Sequence, residues 1–339
     1  MPSTSGTLPS SVTPGNTSSA TQINADGSSN NTIIETMLNL EEIDKDLYRS
    51  KKLWVPMGAR GVFGGNLVGQ ALVAAMNTVS TEFSVHSLHS YFLLPGDPTT
   101  PILYHVERVR DGKSYCTRTV VATQRGNNVF VCTVSFQVPR SNAPSHQYPM
   151  PNVPHHSTLP SQEELILSMI EDPKIPENIA EFLKFRLQEP VALDFKDTKR
   201  HTFKDLKNPD VRTEQSFWIK SKGRLGDALA LHQCVVAYGS DHNLLNTVPL
   251  AHGSTWLTRR GEKSNPGVMM MASLDHSMWF HCPFRADEWM LYVCESPRSG
   301  DDRGLTFGRI YREDGTLAVS VAQEGVVRLQ PSKVEQPKL

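Results

Sequence analysis

The apolar positions of this chain predict a long helix followed by several strands, and this series occurs twice. Residues 64–79 are apolar nearly all round and carry little charge, which is typical of a buried helix. Strand-like runs bounded by Gly, Pro and Asn turn signals follow near 85–94, 101–110, 114–125 and 128–138. The second series has a helix near 225–239 and strands near 190–196, 212–221, 268–281, 287–296, 303–312 and 316–328.

Shorter patterns complete the prediction. Residues 33–40 form an amphipathic helical pattern, and residues 40–53 read as one strand with charged flanks. Two further helical patterns lie near 161–171 and 177–188. The composition shifts to Pro, Ser, His and Asn over residues 139–160, which indicates a loop or linker.

A short sequence echo supports an internal duplication. Ser87-Leu-His-Ser-Tyr-Phe92 recurs as Ser273-Leu-Asp-His-Ser-Met-Trp-Phe280. The pairs His89 with His276, Gly112 with Gly300, Gly126 with Gly315 and Gln137 with Gln323 are separated by 186 to 189 residues. A constant separation is what a repeated unit requires. We therefore predict an α+β protein in which one buried helix is enclosed by a curved antiparallel sheet, and this unit is made twice.

The predicted domain boundaries follow from these patterns. Residues 1–32 are rich in Ser, Thr, Asn and Gly and are predicted to be a disordered tail. The first repeat spans 33–140, a connector spans 141–189, the second repeat spans 190–330, and a short tail spans 331–339.

Bulk properties exclude several classes of function. The formal charge is −1, so a nucleic-acid partner is not expected. The five cysteines have no CxxC spacing, which argues against a zinc ribbon and against a disulfide framework. No apolar run is long enough for a bilayer, so we expect a soluble protein without membrane insertion. His155-His156 lies in the Pro-rich loop without a spaced partner, so neither a metal site nor a cofactor is expected.

Five motifs resemble those of the type II acyl-CoA thioesterases, which include bacterial thioesterase II and peroxisomal relatives. They are Gly64-Gly-x-x-x-Gly-Gln70, Ser87-Leu-His-Ser-Tyr-Phe-Leu-x-Pro-Gly-Asp97, Tyr238-x-Ser-Asp241, Leu274-Asp-His-Ser-Met-Trp-Phe-His281 and Gln323-Glu-Gly325. The resemblance runs from about residue 35 to about residue 330. It implies a double hotdog fold and hydrolysis of fatty acyl-CoA to free acid and CoA.

The resemblance also implies the residues of the site. In that family an Asp, a Thr or Ser, and a Gln hold the attacking water, and they map onto Asp241, Ser273 and Gln323. A carboxylate, a hydroxyl and an amide can together orient a water molecule toward a thioester carbonyl. Gly64 and Gly65 open the first helix, where backbone N–H groups are suited to bind substrate and a developing oxyanion.

The first repeat is expected to lack a second such site. Val79 and His86 stand where Asp241 and Ser273 would recur, although Gln137 is retained opposite Gln323. One site per chain is therefore predicted.

The roles of the two echoed histidines stay open. His89 is a candidate substrate-binding residue, whereas His276 is interpreted as structural. Asp275, His276 and Ser277 cannot form a hydrolase triad, because consecutive strand residues point to alternate faces.

Two other functions remain as alternatives. Asp241-His242 superficially offers the acid and base of a hotdog enoyl-CoA hydratase, and a non-catalytic acyl-CoA binding protein would keep the same fold. The partners expected are acyl-CoA, further copies of this chain and a peroxisomal import receptor that recognises the terminal Pro337-Lys-Leu339. The expected location is peroxisomal, and otherwise cytoplasmic.

Overall fold

The computed structural model describes residues 32–140, 144–199, 205, 210–255 and 267–329. The helices are α1 (Ile33–Leu38), α2 (Gly64–Met76), α3 (Gln162–Ile170), α4 (Glu177–Leu187), α5 (Leu229–Ser240) and α6 (Thr247–Leu250). The strands of the first half are β1 (Leu40–Asp44), β2 (Leu47–Ser50), β3 (Ser84–Phe92), β4 (Leu103–Asp111), β5 (Tyr115–Gln124) and β6 (Asn127–Gln137). The strands of the second half are β7 (Leu193–Asp197), β8 (Glu214–Ser221), β9 (Val268–Ser273), β10 (Asp275–Phe280), β11 (Met290–Gly300), β12 (Arg303–Arg312) and β13 (Leu317–Leu329).

The described strands form one continuous antiparallel sheet. Its order is β1-β2-β4-β5-β6-β3-β10-β13-β12-β11-β8-β7, and β9 also pairs with β13. The two halves join where β3 pairs with β10. His89 lies opposite Ser277 in this pairing, and Ser90 lies opposite His276.

The two long helices lie side by side on the inner face of the sheet. Nearly every residue of α2 and most residues of α5 are buried, as expected for apolar helices surrounded by sheet and by each other. Strand β5 alternates between exposed or half-buried and buried positions along its whole length, so one of its faces meets α2. Two helices, each wrapped by half of one sheet, make the double hotdog that the resemblance implied.

The segment between the halves covers part of the outer face. Leu159, together with the half-buried Met150 and Val153, packs on Trp218 and Tyr311 of the second half of the sheet. The linker predicted over residues 139–160 therefore contributes a small hydrophobic core of its own. None of the described helices has the length and apolar composition needed to cross a bilayer.

Two predicted strands are each divided in the structure. The strand predicted over residues 40–53 is the hairpin of β1 and β2, which turns at Asp46 with a positive φ of 59°. The strand predicted over residues 268–281 is β9 followed by β10. The helix predicted from residue 225 begins only at Leu229, and Asp227 upstream of it pairs with Arg285.

The division between β9 and β10 is a β-bulge. Ser273 pairs with Gly325 and Ser277 pairs with Ala322, so four residue steps on one strand match three on β13. The extra residue shifts the alternation of inward and outward side chains by one position.

Burial and strand pairing show that two equivalences read from the echo are wrong. His89 is exposed on the outer face, whereas His276 is buried on the inner face. Gln137 lies beside the exposed Tyr115 on the outer face, whereas Gln323 is fully buried. The fold is duplicated, but these side chains do not occupy equivalent positions because a one-residue slip exchanges the faces of a strand.

Candidate active site

Three elements of the second half bring Asp241, Ser273 and Gln323 together. Asp241 is the residue that caps the C-terminus of α5. Ser273 is the last residue of β9, directly before the bulge, and Gln323 lies on the neighbouring strand β13. All three face the inner side of the sheet, where α5 ends.

The side chains are joined by hydrogen bonds. The Gln323 amide nitrogen donates to Asp241 Oδ1 at 3.1 Å and to Ser273 Oγ at 2.6 Å. Ser273 Oγ lies 3.5 Å from Asp241 Oδ1, which is a long separation for a hydroxyl donor. The link between the hydroxyl and the carboxylate is therefore the loosest in the group.

The first half contributes the start of α2. The backbone N–H of Gly65 donates to Asp241 Oδ2 at 3.1 Å. A Cβ atom on Gly64 would lie 2.6 Å from the same oxygen and 3.0 Å from the Phe92 ring, so a larger residue fits only if the Asp241 carboxylate moves. A Cβ atom on Gly65 would collide with the backbone oxygen of Tyr238. The two predicted glycines thus allow the N-terminus of α2 to touch the carboxylate.

The three side chains differ in their access to solvent. Asp241 and Ser273 are half-buried, whereas Gln323 is fully buried behind them. Within the group, solvent exposure is therefore confined to the residues that carry the carboxylate and the hydroxyl.

Burial changes the acidity of the carboxyl. It raises the pKa of Asp241 to about 6, and the hydrogen bonds from Gln323, Gly65 and Ser273 oppose the rise. A carboxylate with this pKa is still ionised at neutral pH but accepts a proton more readily than an ordinary aspartate.

A chain of buried polar groups extends behind Gln323. Its Oε1 lies 2.6 Å from His276 Nδ1, and His276 Nε2 lies 2.8 Å from Ser240 Oγ. The Tyr292 hydroxyl donates to the backbone oxygen of Ser240 at 2.7 Å. Burial lowers the pKa of His276 to about 4, so its imidazole is neutral at pH 7.

The sequence left a role for His276 at the site open but favoured a structural one. The available signal was the alternation within β10, in which His276 shares a face with the buried Met278 and Phe280. A histidine on an apolar strand face needs a polar partner, because an unpaired buried polar group is costly. The partner itself, Gln323, was not visible from this pattern.

His89, the other substrate-binding candidate, lies elsewhere. It is exposed on the outer face, where its Nδ1 lies 3.0 Å from Ser277 Oγ and its ring meets Trp279 edge-on. His89 therefore does not join the Asp241 cluster of the single chain, and its role as a substrate-binding residue stays a prediction. His86 also faces outward, toward Ser135 and Tyr115.

The neighbours of Asp241 and His276 in sequence have separate contacts. The His242 ring stacks on Phe195 at 4.1 Å between ring centres and does not share the hydrogen-bond partners of Asp241. Asp275 accepts from the Glu324 backbone, and Ser277 contacts His89. The expectation that Asp275, His276 and Ser277 do not converge is confirmed.

The structure supplies a partner for the paired histidines of the connector. Nε2 of His155 lies 2.9 Å and Nε2 of His156 lies 3.0 Å from one Glu313 oxygen, so the expectation that they lack a partner is wrong. The Ser157 N–H points at His155 Nδ1, which places the His155 proton on Nε2, facing the carboxylate. The contacts are those of a hydrogen-bonded cluster, and the absence of a metal site stays a prediction.

Comparison with known proteins places both halves of this geometry in one family. A family model described as "Acyl-CoA thioesterase" matches residues 184–326, and one described as "Acyl-CoA thioesterase N-terminal domain" matches residues 52–137. Acyl-coenzyme A thioesterase 8 of Mus musculus is 44% identical over 91% of this chain and 92% of its own length. Peroxisomal acyl-coenzyme A thioester hydrolase 1 of Saccharomyces cerevisiae is 26% identical over 87% of this chain and 94% of its own length.

A solved structure agrees with the sequence comparisons. The crystal structure of an acyl-CoA thioesterase II from Mycobacterium marinum is 35% identical, covers 89% of this chain and 99% of its own, and superposes with a TM-score of 0.65. Similarity at this level extends over both helices and the whole sheet. The chain therefore belongs to the acyl-CoA thioesterase family.

Proposed function

We propose that this protein hydrolyses fatty acyl-CoA to a free fatty acid and CoA by direct attack of water. The observation that carries the proposal is the cluster of Asp241, Ser273 and Gln323 against the N-terminus of α2. Membership of the family supports thioester hydrolysis, and the names of the relatives support acyl-CoA as the substrate.

The attacking water is held between Asp241 and Ser273. Both residues are half-buried. The 3.5 Å separation of Ser273 Oγ from Asp241 Oδ1 is the longest contact in the group, and the incoming water takes its place. The water oxygen bonds to the thioester carbonyl carbon, and Asp241 takes a proton from the same water molecule. Gln323 stays behind the pair and fixes their separation, because its amide nitrogen donates to both.

The rest of the reaction follows from charge balance. Attack converts the carbonyl oxygen to an oxyanion. At the start of α2 the Gly65 N–H already donates to Asp241 and the Asn66 N–H to the Phe63 backbone oxygen, so the oxyanion is assigned to the N–H of Gly64. Collapse of the tetrahedral intermediate breaks the C–S bond. The CoA thiolate leaves and takes up the proton, and Asp241 is ready for the next water.

The contacts favour this function over the two alternatives. A hydratase would need His242 to face the substrate beside Asp241, but its ring is packed between Phe195 and Phe63, and burial lowers its pKa to about 3. A protein that only binds acyl-CoA has no need for a carboxylate whose pKa lies near 6.

Release of thiol from palmitoyl-CoA tests the proposal. The purified protein is incubated with palmitoyl-CoA and a thiol reagent, and Asp241→Ala is the matched inactive variant. We expect the wild type to release CoA. We expect Asp241→Ala to lose at least 10²-fold in kcat, on the order expected for removal of a general base. Binding of palmitoyl-CoA without thiol release would instead indicate the non-catalytic function.

Single turnover in ¹⁸O-labelled water tests direct attack. With enzyme in excess, a water that attacks the thioester places ¹⁸O in the fatty acid during the first turnover. An acyl anhydride on Asp241 that is opened at the aspartyl carbonyl would leave the label on the enzyme. Label on Asp241 would therefore contradict direct attack.

We further propose self-association, and we propose peroxisomal import, which the name of the yeast relative supports. Pro337-Lys-Leu339 lies outside the described residues. Light scattering on the purified protein tests self-association. Import is tested by comparing fluorescent fusions with and without these three residues, and equal distribution of the two fusions would contradict a role for the tripeptide.

A further inference from the structure

We propose that His276 is a positioning residue of this site, whose Nδ1–H holds the carboxamide of Gln323 in the orientation that hydrolysis requires. The inference rests on the proposed function, and it concerns a residue that contacts neither the water nor the thioester. Its effect passes through Gln323 to Asp241 and Ser273.

The two ends of the Gln323 carboxamide are not interchangeable here. The ionised Asp241 carboxylate only accepts hydrogen bonds, so the NH₂ end of Gln323 must face it. The carbonyl end then faces His276 Nδ1 at 2.6 Å. A carbonyl oxygen only accepts, so His276 carries its proton on Nδ1.

The other ring nitrogen agrees with this assignment. Since burial keeps the imidazole neutral, Nε2 has no proton and must accept. Ser240 Oγ lies 2.8 Å from Nε2 and 2.9 Å from the Ala237 backbone oxygen, and we assign its one proton to Nε2 because Gln323 already fixes the imidazole proton on Nδ1. Ser240 is itself held at the end of α5, where its backbone oxygen accepts from the Tyr292 hydroxyl. Each polar group in the chain thus has a defined role as donor or acceptor.

Loss of the Nδ1 donor would release the carboxamide. Gln323 is fully buried, so water does not readily supply a replacement. A flipped carboxamide would direct its oxygen at the Asp241 carboxylate and remove the donor shared with Ser273. A misplacement of about 1 Å in such a group costs on the order of a hundredfold in rate.

Two substitutions separate this role from simple packing. His276→Asn keeps an amide N–H at about the position of Nδ1, whereas His276→Gln keeps an amide at about the position of Nε2. The first variant can still donate to Gln323 but loses Ser240. The second can still contact Ser240 but loses the donor to Gln323. Both introduce a buried amide, so they are matched in polarity.

We expect the two variants to differ in kcat and not in KM. We expect His276→Asn to stay within about fivefold of the wild-type kcat, and His276→Gln to lose at least about tenfold with an unchanged KM for palmitoyl-CoA. Thermal melting of both variants reports whether they fold. Equal kcat values for the two folded variants, or a change confined to KM, would overturn the inference.

The tautomer provides a readout that does not depend on activity. In protein labelled with ¹⁵N-histidine, the ring signals lost in His276→Asn identify His276, and their shifts distinguish Nδ1–H from Nε2–H. We expect a neutral ring protonated on Nδ1 at pH 7. An Nε2–H tautomer would overturn the inference even if the wild type were inactive. An inactive wild type with the Nδ1–H tautomer would instead contradict the proposed function.

Discussion

Gly65 in the first half donates its backbone N–H to Asp241 Oδ2 in the second half, at 3.1 Å and across 176 positions of sequence. This contact joins the start of α2 to the end of α5. Neither half contains the complete group, since the carboxylate belongs to one repeat and the helix N-terminus to the other. The site is therefore a product of the way the two repeats pack.

Gly64→Ala should disable the site with little effect on the fold. The new Cβ atom would lie 2.6 Å from Asp241 Oδ2 and 3.0 Å from the Phe92 ring, so the carboxylate must move. A displacement of this size is expected to lower kcat on the order of a hundredfold. Steady-state hydrolysis of palmitoyl-CoA and the melting temperature are measured together.

Gly226→Ala is the matched control for this substitution. Gly226 stands upstream of α5, much as Gly64 begins α2, and a Cβ atom there would meet nothing within 4 Å. We expect wild-type kinetics and stability. An equal loss of kcat in both variants would show that crowding of Asp241 is not the cause.

The pH dependence of kcat/KM should report the ionisation of Asp241 in the free enzyme. The carboxyl must be ionised to accept a proton from water, and burial raises its pKa to about 6. The rate is therefore expected to rise tenfold per pH unit below about 6 and to level off above it. A rate independent of pH between 4.5 and 7, in a protein that stays folded over about that range, would rule out this role.

Gln323→Glu should shift the acid limb of this profile upward. The new carboxyl would lie about 3 Å from Asp241 Oδ1, where two negative charges cannot coexist cheaply. The pair is expected to share a proton near neutral pH, with kcat at pH 7 reduced at least about tenfold. Gln137→Glu is the control, because that glutamine lies on the outer face and should leave the profile unchanged.

Substitutions at Ser273 test the hydroxyl. We expect Ser273→Thr to retain most of the activity, because it keeps an O–H near Asp241 and Gln323. Ser273→Ala should lose at least about tenfold in kcat, since the attacking water loses the hydroxyl that orients it and one of the two Gln323 N–H groups loses its acceptor. Ser277→Ala on the outer face is the control. Equal kcat values for Ser273→Ala and the wild type would contradict the assignment.

The sequence determined the two helices, most strand positions and the composition of the site. The nearly continuous apolar pattern of α2 predicted a buried helix, and the motif resemblance pointed to Asp241, Ser273, Gln323 and the glycines that meet at the candidate site. The helix and strand patterns are local in the sequence. The site residues are of types that the chemistry, or the close approach of the α2 backbone to the carboxylate, requires.

Tertiary structure alone decided which side chains face the site. By strict alternation Ser273 and His276, three positions apart, would lie on opposite faces of one strand. The bulge between β9 and β10 turns both inward, onto Gln323. A one-residue offset also separates His276 from His89. The repeated sequence suggested that the two histidines are equivalent, but they lie on opposite faces of the sheet. The position of a bulge depends on pairing with a neighbouring strand, and the sequence of one strand alone does not specify that pairing.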